Sequence, residues 1–81
     1  MNLIIEQGNT SSKVAVFNEG RVEASFVYKR FGVSVIAPLL ERYAFSKGIL
    51  STVIDRDEEL IAFLRERLPR FVFLDERVAL P

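Results

Sequence analysis

The chain has 81 residues, 49% of them hydrophobic, which is enough for one small globular core and leaves no room for a second domain. Eleven basic and eleven acidic residues cancel without a long run of either sign, so nothing marks a nucleic-acid partner or an anionic membrane surface. The absence of cysteine and histidine excludes disulfides, thiolate chemistry, imidazole bases and nearly every structural zinc site, leaving only a hard, oxygen-held metal as a possibility.

The chain opens on Met1-Asn2-Leu3-Ile4-Ile5-Glu6 with no basic leader, and nowhere do ~18 apolar residues follow one another, which reads as a cytoplasmic, non-membrane protein. Asn2 to Ile5 is an almost wholly apolar run, suited to a central strand covered on both faces. Turn chemistry follows in Gly8-Asn9-Thr10-Ser11-Ser12, and Lys13 to Phe17 resumes as a second strand, giving a hairpin. Asn18-Glu19-Gly20 predicts a three-residue hairpin turn with Gly20 left-handed. Arg21 to Tyr28 then alternates Val22, Ala24, Phe26 and Tyr28 with polar neighbours, the period of a third strand.

Past Gly32 the period changes. Val35, Ile36, Leu39, Leu40, Tyr43 and Ala44 recur at helical spacing, with Ser34 as N-cap, Pro38 near the first turn and Ser46-Lys47-Gly48 as the stop. Ile49 to Ile54 predicts a fourth strand. Asp55, Asp57 and Glu58 supply a capping-box-like start, favoured by the helix dipole, to a second helix that buries Leu60, Ile61, Leu64 and Leu68 and stops at Pro69. Arg70 to Leu74 is the last strand. Phe17, Phe26, Phe45, Phe63, Phe71 and Phe73 are assigned to the core. The order is β-β-β-α-β-α-β, an α/β domain over residues 1–81 whose single sheet is antiparallel at its start and gains parallel pairs through the two helix crossovers.

That order, with a glycine-centred polar turn between the first strands, resembles the ribonuclease H-like half-domain of the acetate and sugar kinase, heat-shock cognate and actin superfamily. The sharper resemblance is to type III pantothenate kinases, which begin with a similar strand and then Asp-x-Gly-Asn-Thr before a basic residue. The matching stretch here is Glu6-Gln7-Gly8-Asn9-Thr10-Ser11-Ser12-Lys13. Gly48-Ile49-Leu50-Ser51-Thr52-Val53 matches the family's hydroxyl-rich strand end, and Leu80-Pro81 its Leu-Pro step. Two features depart from the family: Glu6 stands where it has Asp, and its later Gly-x-Asp-Arg motif, which carries the catalytic base, has no counterpart.

The resemblance implies an N-terminal piece of an enzyme that phosphorylates pantothenate with ATP in coenzyme A biosynthesis. It further implies Mg2+, a monovalent cation (K+ or NH4+) and a homodimer, with no catalytic residue inside this stretch and no activity for it in isolation. Residues 6 to 13 would form the nucleotide-phosphate site and Glu6 would approach the metal. Physically, Gly8 lets backbone amides close on phosphate oxygens, Asn9 and Thr10 add donors, and Lys13 adds a cation. Glu6 would meet a phosphate-bound magnesium through water, and Ser51 and Thr52 could line the cleft. Taken singly, Gly8-Asn9-Thr10 is also an ordinary hairpin turn, Glu6 and Lys13 are solvated strand residues, and Ser51 and Thr52 are local hydrogen-bonding groups. Another kinase or ATPase of the superfamily, or a non-catalytic regulatory relative, shares these features.

Overall fold

The computed structural model describes residues 1–75, and the Leu80-Pro81 step lies outside the described residues. The elements come in the expected order: β1 (Asn2–Gln7), β2 (Ser12–Asn18), β3 (Arg21–Tyr28), α1 (Val33–Arg42), β4 (Lys47–Thr52), α2 (Glu58–Arg67) and β5 (Arg70–Asp75). They form one mixed five-stranded sheet in the order β3-β2-β1-β4-β5, so β1 is central. β1–β2 and β2–β3 are antiparallel, whereas β1–β4 and β4–β5 are parallel, as crossovers through helices require.

Alternation decides which side chains meet the helices. Leu3 and Ile5 of β1, Val14 of β2 and Leu50 of β4 point to one face and join Ile36, Leu39, Leu60, Ile61, Leu64 and Leu68 in a single buried cluster. This aliphatic cluster, not the aromatic set, is the core. Phe26, Phe45, Phe63, Phe71 and Phe73 are half-buried and pack against it from its margins, and Phe17 lies half-buried in β2 outside that cluster. Phe26 lies on the edge strand β3 and Phe71 and Phe73 on the edge strand β5, which sets these rings at the sheet's margins. On the opposite face the register lines up Ala15, Ile4, Ile49 and Val72, and Val27, Ile49, Val72 and Leu74 are exposed.

Local structure differs from the sequence expectation at four points. The β2–β3 turn is a two-residue loop, because Asn18 pairs with Arg21 inside the ladder and both Glu19 (φ 53°) and Gly20 (φ 77°) take left-handed angles. Positive angles at both loop positions match the twist of the flanking strands. The N-cap of α1 is Gly32 instead of Ser34, and the Gly32 carbonyl accepts from the amides of Val35 and Ile36. Starting two residues earlier puts Pro38 past the first turn, inside the helix. α1 also stops at Arg42, with Tyr43 extended, well before Ser46-Lys47-Gly48. Those residues are claimed by the sheet: the Ser46 amide donates to Met1 O, and Lys47 and Gly48 pair with Asn2 and Leu3. Correspondingly β4 ends at Thr52, where the Ile54 amide turns back onto Thr52 Oγ1. The second helix follows expectation, with Asp57 Oδ1 accepting from the Leu60 amide at 3.1 Å and the chain leaving the helix at Leu68, before Pro69.

Candidate functional site

The central strand carries the site residues to one end of the sheet. Glu6 and Gln7 close β1, Ser12 and Lys13 open β2, and Ser51 and Thr52 close β4 alongside them. Period-two alternation then sorts the six. Gln7, Ser12 and Thr52 sit in one transverse row on the helix-covered face and are buried. Glu6, Lys13 and Ser51 form the row on the open face, where Glu6 and Lys13 are exposed cross-strand partners of opposite charge.

Between these rows and the β1–β2 loop lies a cavity of about 350 Å³, lined by Glu6, Gln7, Gly8, Thr10, Ser11, Lys13, Ser51 and Val53. Six of the eight residues expected from the sequence therefore share one cavity. Asn9 is exposed outside its lining, and Ser12 is turned into the helix-side layer. Ser51 lines this cavity too. Thr52 does not line it, because alternation turns it to the helix-covered face, where its hydroxyl is engaged with the backbone of Ile54. Val53 was not expected. It arrives because the β1–β4 pairing continues past the strand ends, its amide donating to Gln7 O at 3.1 Å.

The loop also corrects one expectation about its amides. The Gly8 amide donates to Ser11 O at 2.9 Å, so it closes the turn and is not turned toward a ligand. Among the described residues no hydrogen bond is recorded for the amides of Asn9 and Thr10. Gly8 suits this close approach: a Cβ there would stand 3.0 Å from Ser11 O, so the loop backbone would have to give by a few tenths of an ångström to take one. The loop thus offers the Asn9 and Thr10 amides, the hydroxyls of Thr10 and Ser11, and the Lys13 ammonium, a set of donors suited to an anion. The one carboxylate in the lining is Glu6. Among the described residues no three acidic side chains gather as a metal-binding group.

Known proteins share this chain's pattern. No family model matches it. A type III pantothenate kinase of Bacteroides fragilis is 32% identical over all 81 residues, and one of Azobacteroides pseudotrichonymphae is 31% identical over the same span. A third, from Phocaeicola vulgatus, is 35% identical over 69 residues, 85% of this chain. The chain is similar to one part of the type III pantothenate kinases. It spans about a third of the length of these curated family members: 33%, 33% and 28%, respectively. The fold has a wider distribution than the family. A crystal structure from Porphyromonas gingivalis, assigned as an N-acetylglucosamine kinase, superposes with a TM-score of 0.66 over 94% of this chain and 34% of its own length, at 10% identity. That likeness, at such low identity, shows the mixed α/β fold alone.

Proposed function

We propose that this chain supplies the ATP-phosphate-binding wall of an enzyme that phosphorylates pantothenate at the head of coenzyme A biosynthesis. The observation that carries the proposal is the cavity at the end of β1, where a glycine-closed turn, three hydroxyls and Lys13 surround one space in a chain related to type III pantothenate kinases. Phosphoryl transfer asks the protein mainly to position the phosphates and neutralise their charge. Thr10, Ser11 and Ser51 would donate to phosphate oxygens, the Asn9 and Thr10 amides would close over them, and Lys13 would offset charge.

Mg2+ belongs to this proposal as the ion that travels with ATP and neutralises charge developing on its phosphates. A lone exposed carboxylate suits contact through the ion's waters, since magnesium keeps much of its hydration, and Glu6 is the residue that would make it. Its extra methylene relative to aspartate lengthens the reach without changing the charge. The monovalent cation enters through the family resemblance alone, and no residue is assigned to it. Cytoplasmic location and a homodimer are part of the same reading. The exposed apolar face bearing Val27, Val72 and Leu74 supports contact with further protein, and no helix of the described residues is long and apolar enough to cross a membrane.

The 81 residues by themselves are proposed to be inactive. The cavity holds one carboxylate and no second group to take the proton of an acceptor hydroxyl, and a nucleotide on an open wall remains wet, so each contact competes with water. Incubating the chain with Mg·ATP and pantothenate should yield no phosphopantothenate above the uncatalysed background. Enzyme-like turnover would overturn the division of labour proposed here. ADP release with no dependence on pantothenate would favour another ATPase of the superfamily.

A further inference from the structure

The buried polar residues among those described are Gln7, Ser12 and Thr52, and the register sets them side by side across β2, β1 and β4. They share a face with Leu3, Ile5, Val14 and Leu50, so they close the site end of the aliphatic core. Thr52 is provided for by the Ile54 backbone. Gln7 is not. Its side chain is in a residue only 5% exposed, its Oε1 is sealed from solvent, and that oxygen has no hydrogen-bond partner. A buried acceptor left unpaired destabilises a fold, and at a position continuing the Leu3–Ile5 row an apolar side chain of similar volume would fit at lower cost. Structure alone gives no reason for a carboxamide here.

The cavity gives one. Gln7 lines it, and of its two polar side-chain atoms Oε1 is the sealed, unpartnered one, which leaves Nε2 as the donor available to a ligand held by Thr10, Ser11, Lys13 and Ser51. We propose that Gln7 is a ligand-contact residue: Nε2 donates to an oxygen of the bound phosphate group from the helix side of the sheet, opposite Glu6 and Lys13, and the fold gives up stability to keep it there. This assignment rests on the phosphate-binding reading of the cavity and adds to it a contact made from beneath the loop by a side chain.

Gln7→Met and Gln7→Leu test it in the 81-residue chain. Each is followed by thermal unfolding and by two-dimensional 15N–1H titration with Mg·ATP and, separately, with pyrophosphate. Both variants should melt higher by about 5 °C, the scale expected when an orphaned buried acceptor is removed from a domain of this size. Both should bind the phosphate probes about tenfold more weakly than wild type, the loss of one hydrogen bond to a charged group. In the wild-type spectrum the Gln7 side-chain NH2 pair should move on titration. Higher melting with unchanged affinity would overturn the contact and leave the cavity's phosphate reading standing. Unchanged or lower melting in both variants would overturn the stability argument. Response to pyrophosphate but not to ATP would defeat the nucleotide reading and retain Gln7's role, whereas silence toward both probes would defeat both.

Discussion

Gly48→Ala should destabilise the domain although it removes a glycine from the middle of a strand. Gly48 sits in β4 between Leu3 of β1 and Phe71 of β5, on the helix-covered face. A Cβ there would overlap Leu68 Cδ1 and stand 3.7 Å from both the Cβ and the carbonyl oxygen of Leu3. Leu68, the C-cap of α2, is 4% exposed within the buried cluster, so its side chain has to shift against packed neighbours to make room. Overpacking of this kind costs about 1–3 kcal/mol, and the stiffer unfolded chain returns about 0.4–1 kcal/mol. The net loss should be about 1–2 kcal/mol, which at this size lowers Tm by about 5–15 °C. Circular-dichroism melting of a double-mutant cycle isolates the cause. Leu68→Ala alone should cost about 2–5 kcal/mol by opening a cavity, and in that background Gly48→Ala should cost nothing or restore stability. Additive losses at the two positions, or a higher Tm for Gly48→Ala alone, would refute the close-approach argument.

Other outcomes follow from the same geometry. Gly8→Ala should weaken ATP binding more than stability, because its Cβ would crowd Ser11 O and shift the loop that carries Asn9 and Thr10; paired titration and melting curves read both. Asp57→Ala removes the acceptor for the Leu60 amide and should cost about 1 kcal/mol in denaturant unfolding, with phosphate binding unchanged. Glu58→Gln breaks the exposed ion pair with Arg56 and should alter stability by less than about 0.5 kcal/mol. Lys13→Ala should lower affinity for pyrophosphate and flatten its salt dependence, which titration at two ionic strengths would detect.

Much of the fold is legible in the sequence because its periods are clear. Alternation in residues 21–28 and helical spacing in 58–67 lead directly to β3 and α2. The errors lie where tertiary demands replace local signals. Gly48 carries the ordinary mark of a helix stop, yet its lack of a side chain serves close packing under Leu68, a contact visible only once the sheet is assembled. Ser34 is a better N-cap by composition than Gly32, but the helix is capped two residues before it. Phe26, Phe71 and Phe73 fall at the margins because they lie on the edge strands β3 and β5, a placement that the strand order decides. For the candidate site, the glycine-centred turn at the end of an apolar strand pointed to the Glu6-to-Lys13 stretch, six of whose residues line one cavity. Which residues face the cavity was not legible, because β1–β4 register decides it, admitting Ser51 and Val53 while turning Ser12 and Thr52 inward. The burial of Gln7 follows simple alternation after Leu3 and Ile5, although its unpaired oxygen required the assembled core.

The central claim is that phosphate groups of ATP bind at the end of β1, and a map of amide shifts in the 15N-labelled chain under Mg·ATP titration tests it most directly. The account expects weak, saturable shifts concentrated at Gly8, Asn9, Thr10, Ser11, Lys13, Ser51 and Val53, around the cavity they line or adjoin. Shifts centred instead on the opposite end of the domain, where Leu40, Tyr43, Phe45 and Arg67 line another cavity, or no shift at saturating nucleotide, would contradict it.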